Sequence, residues 1–488
     1  MSLARKLKNA GIWQFIQVAI QVLAQFGYIA IMARLLSKAD FGVMALASAF
    51  IGMGTIFSEG GMGAALIQRQ HITQKHMNAA IQGSLIIGAV IFIIFFFSSA
   101  YIAQFFKQPI LESIIKVIGI NILFSSVSSV SSGLLQKNFK FKITSRITIA
   151  TTIIGYVVGV VLAFLGLGVW SLVGATLTIS ILTTVGMFYY APVKLSLRIH
   201  FQEWKELFSF GFGIILLKFN NYIANQGVSL VLGKIIPPAQ LGVFERTYSI
   251  KSIPSIYLGN ILDAVMFPAM SEIQDEKERL FRVYQHALGL VNSLLMPIAV
   301  FLIFFSKEIV LILLGDKWLE AVLPLQIMFA ILPFSSSGRM ADSVLRAKGL
   351  IYKNVLRKFL YVSVLITAIS VGAFYYGLIG AAIGVTGSHL FNYVMMLILV
   401  EKTFEKSVKE IFLSPILSGL KLSMLVLLLL LLFSFLLNPF ALHALLDFFI
   451  ITFFLCIVMG LIVWKKPIWL GFYLEQALMK ALPNMKKQ

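Results

Sequence analysis

The sequence contains a single cysteine, Cys456, so no intrachain disulfide can form. Charged residues make up only 12% of the chain, and 20 acidic residues face 40 basic ones. The six histidines are scattered without metal-ligand spacing, and no phosphate-binding loop with its lysine is present. These absences argue against an enzyme active site and a resident metal or nucleotide cofactor. They leave an ion gradient, the membrane potential or a substrate gradient as the source of any work.

Apolar residues dominate what is present. They account for 59% of the chain, with a mean hydropathy of +0.92, against about 45 to 50% in soluble domains. Apolar segments of about 20 residues recur along the chain and exclude a β-barrel, whose strands would alternate over about 10 residues. The sequence therefore predicts an all-α integral membrane protein with about fourteen transmembrane helices. Residues 11–32 are too long and too rich in glutamine for a cleaved signal peptide, so we expect them to form a retained first helix.

The basic residues alternate between the predicted loops. With the N-terminus taken as cytoplasmic, 28 of the 40 Lys and Arg residues fall on that side, 6 on the opposite side and 6 inside helices. Such a bias is typical of cytoplasmic loops and predicts that both termini are cytoplasmic. It also explains the formal charge of +20 without a nucleic-acid partner.

The chain contains an internal repeat. The matching segments are residues 34–43 with 234–243, 124–126 with 334–336, and 166–168 with 377–380. An even number of helices in each half gives both halves the same orientation in the membrane. The predicted domains are a six-helix lobe at 1–200, a second six-helix lobe at 201–405, two extra transmembrane helices at 406–465 and a cytoplasmic tail at 466–488.

Four cations lie inside apolar segments that are predicted to span the membrane. Lys218 lies roughly 16 Å into an apolar segment, at about 1.5 Å per residue, and Arg246, Lys251 and Arg339 also fall within predicted helices. A lipid-facing charge at a helix centre costs on the order of 2.5 to 3.5 kcal/mol. These four side chains therefore either pair with acidic residues or line a wet cavity that binds an anion, and we predict that they bind a phosphate-bearing substrate.

Amide side chains form stripes on two predicted helices. The predicted lumen wall consists of Gln14, Gln17, Gln21 and Gln25 on the first helix, and Asn221, Tyr222 and Asn225 beside Lys218. Their helical spacing places each set on one face. Hydrogen bonding between packed helices is the alternative interpretation of such stripes. Glu59 and Asp263 are candidates for coupling to Na⁺ or H⁺, and each is equally a candidate structural counter-charge.

Several short motifs resemble the polysaccharide-export branch of the multidrug/oligosaccharidyl-lipid/polysaccharide exporter superfamily, the Wzx-type flippases of O-antigen and exopolysaccharide repeat units. The motifs are residues 13–33, Arg34-Leu35-Leu36 with Asp40-Phe41-Gly42, residues 60–68, residues 134–137 and residues 168–173. The resemblance covers residues 1–465. It supplies no strict set of site residues, so the site predictions above rest on the residues themselves.

The resemblance implies a multi-pass protein of the bacterial cytoplasmic (inner) membrane. Its expected activity is alternating-access transport of undecaprenyl-pyrophosphate-linked oligosaccharides for lipopolysaccharide or exopolysaccharide biosynthesis. Its expected partners are that lipid-linked substrate, membrane lipids, and polymerase and chain-length components of the same pathway, with the transporter itself acting as a monomer. The alternatives are a cation-coupled multidrug exporter or a lipid II flippase of the same superfamily. A membrane glycosyltransferase is disfavoured because no large extracytoplasmic loop exists.

Overall fold

The computed structural model describes residues 3–193, 200–437 and 444–465. Side chains are not described at residues 3–9, 217, 220, 221, 224, 225, 255–265, 267–269, 351, 352, 412, 414, 444, 445 and 459–465. The described chain is helical and contains no strand, which confirms the predicted fold class. It divides into two compact units, Met1–Glu245 and Arg246–Gln488.

Unit 1 contains nine helices in its described part, and a tenth begins in it. They are α1 Leu3–Leu35, α2 Lys38–Ser58, α3 Met62–Gln68, α4 Gln74–Phe106, α5 Ile110–Ile118, α6 Ile120–Lys137, α7 Phe141–Phe164, α8 Val169–Tyr190, α9 Phe201–Ile235 and the start of α10 Pro238–Glu272. Unit 1 thus includes α9, whose residues pack against α2, α3 and α4. The predicted lobe boundary at residue 200 stays a prediction.

Unit 2 holds the remainder of α10 and the following helices. They are α11 Lys277–Phe304, α12 Ser306–Leu313, a 3₁₀ helix Asp316–Ala321, α13 Val322–Ala330, α14 Leu332–Ala347, α15 Ile351–Phe404, α16 Val408–Leu437 and α17 Ala444–Lys465. Ten segments of the described chain are long and apolar enough to cross a membrane.

The structure breaks helices that the hydropathy pattern predicted as continuous. The predicted helix at residues 41–66 ends at Ser58 and resumes at Met62, because Gly60 and Gly61 adopt left-handed φ values of 57° and 63°. Only glycine takes up such backbone conformations readily. The interruption places Glu59 at the end of α2, with its carbonyl oxygen accepting a hydrogen bond from Ser84 Oγ at 3.3 Å.

Two glycines support the predicted repeat. Gly168 has φ 55° and ψ −131°, and Gly377 has φ 55° and ψ −133°. Each occupies the turn between two consecutive apolar helical segments in its own unit. The same unusual conformation at matching places, 209 residues apart, is what a duplicated six-helix lobe predicts.

The first and fifth predicted helices run parallel in unit 1. Gln21 Nε2 on α1 donates to Thr152 Oγ1 on α7 at 3.3 Å, and the Tyr28 ring stacks on Tyr156 with centroids 4.1 Å apart. Positions increase together along both helices, as the predicted alternation of helix directions requires. Part of the glutamine stripe therefore serves helix packing.

The two C-terminal helices belong to unit 2. On α16, Ser418 Oγ lies 3.2 Å from Ser293 Oγ of α11, and a side chain at Gly419 would collide with the backbone of Asn292. Val426, Leu430, Ile451 and Leu455 pack together with Phe305. Phe435 and Leu428 on α16 are 76% and 63% exposed, so the remaining face of the helix suits contact with lipid.

Arg357 is one of the 28 Lys and Arg residues that the charge count assigns to the cytoplasmic side, but the structure buries it in α15, where it is 5% exposed. Its guanidinium donates to Asn354 Oδ1 at 3.1 and 2.8 Å and to Asn392 Oδ1. Asp342 lies 3.5 Å away and also accepts a hydrogen bond from Asn354 at 2.7 Å. The network joins α14 to both halves of α15.

The Arg357 network should contribute strongly to stability. Replacing Arg357 by Ala removes the buried cation beside Asp342 and the donor to Asn392, and we expect a loss of about 3 to 5 kcal/mol. The measurement is thermal unfolding of the purified protein in detergent. Lys353→Ala removes an exposed cation from the same helix and should leave the transition in place. Equal transitions in both variants would contradict the assignment.

A second contact is symmetric about the repeat. A Cβ atom on Gly42 would overlap the carbonyl oxygen of Pro238, and one on Gly242 would overlap that of Lys38. Gly42 and Gly242 are equivalent positions of the repeat and lie backbone to backbone within unit 1. The start of α2 and the start of α10 therefore meet through a pair of glycines.

This contact predicts that Gly42→Ala is destabilising although alanine favours helices. The new methyl group has no space, and overpacking costs about 1 to 3 kcal/mol. Gly213→Ala on α9 meets no neighbouring atom and should be neutral or stabilising by up to about 1 kcal/mol. Melting temperatures and the yield of monodisperse protein compare the two variants; a Gly42→Ala protein as stable as Gly213→Ala would refute the packing argument.

Candidate substrate-binding charges

In unit 1, Lys218 forms an ion pair with Glu59. Its Nζ lies 2.7 Å from Glu59 Oε2, and the two side chains are 48% and 28% exposed. Glu59 is held at the break between α2 and α3, whereas Lys218 lies near the middle of α9. The structure therefore brings together one predicted pyrophosphate ligand and one predicted coupling residue.

The path of α9 along α2 explains this pairing. A side chain at Gly61 would collide with the backbone of Gly211, and one at Gly52 would collide with the Tyr222 ring. Positions rise on α9 as they fall on α2, so the helices are antiparallel. The missing side chains at these glycines let α9 approach closely enough for Lys218 to reach Glu59.

Tyr222 is engaged by α2. Its hydroxyl lies 3.1 Å from the carbonyl oxygen of Ser48 and 2.8 Å from that of Ala49, to which it donates. The predicted contact of Tyr222 with a sugar therefore competes with an existing hydrogen bond. Of its predicted companions, the side chains of Asn221 and Asn225 lie outside the described residues, as does that of Asp263.

The amide stripe of α1 is only partly enclosed. Gln14 is exposed, while Gln17, Gln21 and Gln25 are half-buried. Gln17 Nε2 donates to Gln21 Oε1 at 3.2 Å, and Gln21 bonds to α7 as described above. The stripe combines packing at Gln21 with accessible amides at Gln14, and its contact with sugars stays a prediction.

In unit 2, Lys251 is buried with 3% of its surface exposed. Its Nζ lies 5.4 Å from the centre of the Tyr248 ring, which gives a cation–π contact. Among the described residues, no carboxylate lies within ion-pair distance of Lys251. A buried ammonium in this position is costly unless an anion joins it.

One further cation and one histidine lie near Lys251. Arg339 on α14 and His389 on α15 lie close enough for their electrostatic fields and that of Lys251 to act on one another. His389 Nδ1 lies 2.9 Å from the Val385 carbonyl oxygen, and the imidazole ring packs edge-on to Tyr361. Two fixed cations and an imidazole therefore converge in unit 2.

The sequence prediction paired Lys251 with Arg339 in function but missed His389, which looked like one of several scattered histidines. In the sequence, His389 is distinguished only by its position in an apolar segment. Its proximity to Lys251 becomes evident only in the folded chain. Arg246 is half-buried at the start of unit 2. It precedes Lys251 by five residues, which puts the two about 140° apart around α10.

Asp342 follows Arg339 by three residues on α14, a spacing at which two side chains can form an ion pair. The structure shows it bonded to Asn354 and 3.3 Å from Arg346 Nε, in addition to its contact with Arg357. Its carboxylate is thus largely committed to the network that holds α14 against α15. In the described part of the chain, no group of three or more metal-ligating side chains occurs.

Comparison with solved structures shows the fold. The chain is similar to a lipid II flippase MurJ in an inward closed conformation, with a TM-score of 0.70, 17% identity, and coverage of 94% of this chain and 99% of that one. It is also similar to an inward-facing multidrug resistance MATE family transporter, with a TM-score of 0.65, 16% identity and coverage of 81% and 99%.

Comparison with curated proteins is more specific. An uncharacterized membrane protein in the cps region of Klebsiella pneumoniae is 24% identical over 79% of this chain and 80% of its own length. The lipopolysaccharide biosynthesis protein WzxC of Escherichia coli K12 is 24% identical over 85% of both chains. The model of the family described as "Polysaccharide biosynthesis protein" matches residues 31–323. The chain is therefore a multi-pass membrane transporter that belongs to the polysaccharide biosynthesis protein family.

Proposed function

We propose that the protein moves undecaprenyl-pyrophosphate-linked oligosaccharide repeat units across the bacterial cytoplasmic membrane by alternating access. The observation that carries the proposal is Lys251, a buried cation with no carboxylate partner among the described residues, beside Arg339. A pyrophosphate supplies the missing negative charge, and arginine matches its oxygens with two parallel donors. Membership of a polysaccharide biosynthesis family supports a glycan as the remainder of the substrate.

The charge of the site favours this substrate over an organic cation. Multidrug transporters share the fold, and a likeness of fold does not set the substrate. A drug cation entering unit 2 would meet Lys251 and Arg339 and be repelled. Lipid II also carries a pyrophosphate, so the distinction from a lipid II flippase rests on the sugar contacts rather than on these cations.

A reconstituted assay tests the function. Purified protein in liposomes should move a fluorescent pyrophosphate-linked oligosaccharide lipid from one leaflet to the other, as measured by quenching from outside. Liposomes without protein give the background rate. A transport rate equal to that background would overturn the proposal, and faster transport of a cationic dye than of the lipid would favour the multidrug alternative.

Lys251→Met separates binding from folding. Methionine fills similar space without a buried charge, so we expect unchanged or higher thermal stability. Export should fall by at least about tenfold, since a hydrogen bond to a charged group contributes about 1.5 to 3 kcal/mol. Lys421→Met, which removes an exposed cation of the same unit, is the matched control. Surface polymer in a strain that lacks the gene reports export, and full export by Lys251→Met would refute the role of this side chain.

The Lys218–Glu59 pair is proposed to be a latent anion site. A pyrophosphate arriving at Lys218 displaces Glu59, whose carboxylate is then available to take up a proton or a sodium ion. Coupling through Glu59 or Asp263 is part of this proposal. In the simplest mechanism, Lys218 binds the substrate while Glu59 binds the coupling ion.

A charge swap tests this idea. Glu59→Lys combined with Lys218→Glu preserves the ion pair and places the lysine at the C-terminus of α2, where the helix dipole favours it. We expect normal stability but lost export, because position 218 on α9 now repels pyrophosphate. Glu59→Gln and Lys218→Gln alone provide the unpaired references. Restored export in the swapped protein would show that the pair is structural.

A further inference from the structure

A group of cations surrounds Trp13 on unit 1, away from the charges described above. Lys142 Nζ lies 5.3 Å from the centre of the Trp13 ring, and the Arg146 guanidinium carbon lies 5.2 Å from it. Both cations are exposed and stand one turn apart on α7, and Trp13 is half-buried on α1. With the exposed Lys140 just before α7, these residues form what we call the Trp13 patch.

The Trp13 patch lacks acidic neighbours. In the described part of the chain, no carboxylate lies within ion-pair distance of Lys140, Lys142 or Arg146, and the first turn of α7 contains no acidic residue. Three cations elsewhere in unit 1 do have an acidic partner: Arg69 lies 2.7 Å from Glu206, Lys116 lies 2.6 Å from Glu112, and Lys218 pairs with Glu59. Like charges near the start of a helix repel one another and the helix dipole. An anion from outside the chain would relieve that cost.

The surroundings of the patch indicate a lipid. Trp13 lies near the start of the apolar span Ala10–Leu35, the level at which tryptophan marks a membrane interface. Beside it, Ile12, Phe15 and Ile16 are 47%, 68% and 36% exposed. A phosphate group bound to the cations would therefore lie next to an apolar surface that acyl chains can cover. A soluble anion or a nucleic acid would leave that surface uncovered.

We propose that the Trp13 patch binds the phosphate group of an anionic glycerophospholipid of the cytoplasmic leaflet. Lys142 and Arg146 contact the phosphate oxygens, the Trp13 ring keeps both cations in place, and the acyl chains lie along α1. Binding joins α1 at Trp13 to the N-terminal part of α7 at the membrane surface. This site is independent of the transport substrate proposed above.

Native mass spectrometry of the full-length protein tests the proposal, with phosphatidylglycerol and phosphatidylcholine offered in equal amounts. The wild type should retain phosphatidylglycerol preferentially. Lys142→Gln with Arg146→Gln should lower that affinity by about 30-fold, for two cations near an anionic surface. Arg146→Gln alone, expected to lower it by about fivefold, keeps the test open if the double variant is not recovered.

The matched control is Lys402→Gln with Lys409→Gln, which removes two exposed cations from the same predicted side of the membrane. This control should retain phosphatidylglycerol like the wild type. Equal retention by the Lys142/Arg146 variant, equal loss in the control, or equal binding of phosphatidylcholine would overturn the proposal. Displacement of the lipid by millimolar inorganic phosphate, or by an equimolar short-chain polyprenyl diphosphate, would assign the patch to a free anion or to the transported substrate and would also overturn it.

Discussion

The structure depends on one constraint: within a membrane, each charge must be neutralised or used by the protein itself. Most cations inside the described helices obey this directly. Glu59 neutralises Lys218, Glu112 neutralises Lys116, and Asp342 with two asparagines surrounds Arg357. Lys251 differs because it is buried near Arg339 and has no carboxylate within ion-pair distance among the described residues. An unpaired buried cation lowers the stability of the folded chain. A bound anion removes that cost, which adds to the free energy of binding.

The two units handle charge differently. In unit 1, Lys218 is half-exposed and paired with Glu59, which lies at the break between α2 and α3. In unit 2, Lys251 is buried, and Asp342 is bonded within the Arg357 network. That network holds α14 against α15. The shared fold of lipid II flippases and multidrug transporters accommodates both arrangements. Because a shared fold does not set the substrate, we expect chemical selectivity to depend on side chains such as Lys251.

Much of the fold was predictable because membrane helices are simple in composition. Apolar length gave the helices, and the alternation of Lys and Arg gave their directions, which the parallel α1 and α7 support. The breaks were harder: Gly60 and Gly61 resemble packing glycines in the sequence, and only their left-handed backbone distinguishes them. Hydropathy cannot tell a buried arginine near a helix end from a loop arginine, so Arg357 was misplaced.

The candidate site was predictable in its residue types and not in its partners. Lys218 and Lys251 were conspicuous as charges in apolar segments. Glu59 lies 159 positions before Lys218, and no local spacing predicts that they meet. His389 was unremarkable until the helices placed it near Lys251. Long-range pairing depends on close helix approach, such as that at Gly61 and Gly211, and a linear pattern does not encode the facing helix.

The matching turns at Gly168 and Gly377 restrict how the sequence can change at these two positions. Their backbone conformation is closed to residues with a Cβ atom, so drift that erases other similarity between the halves cannot replace these glycines without strain. Such positions are expected to outlast other similarity between repeated halves. In distant relatives whose halves no longer align, a pair of glycines about two hundred residues apart, each between two apolar segments, would identify equivalent positions of the two halves.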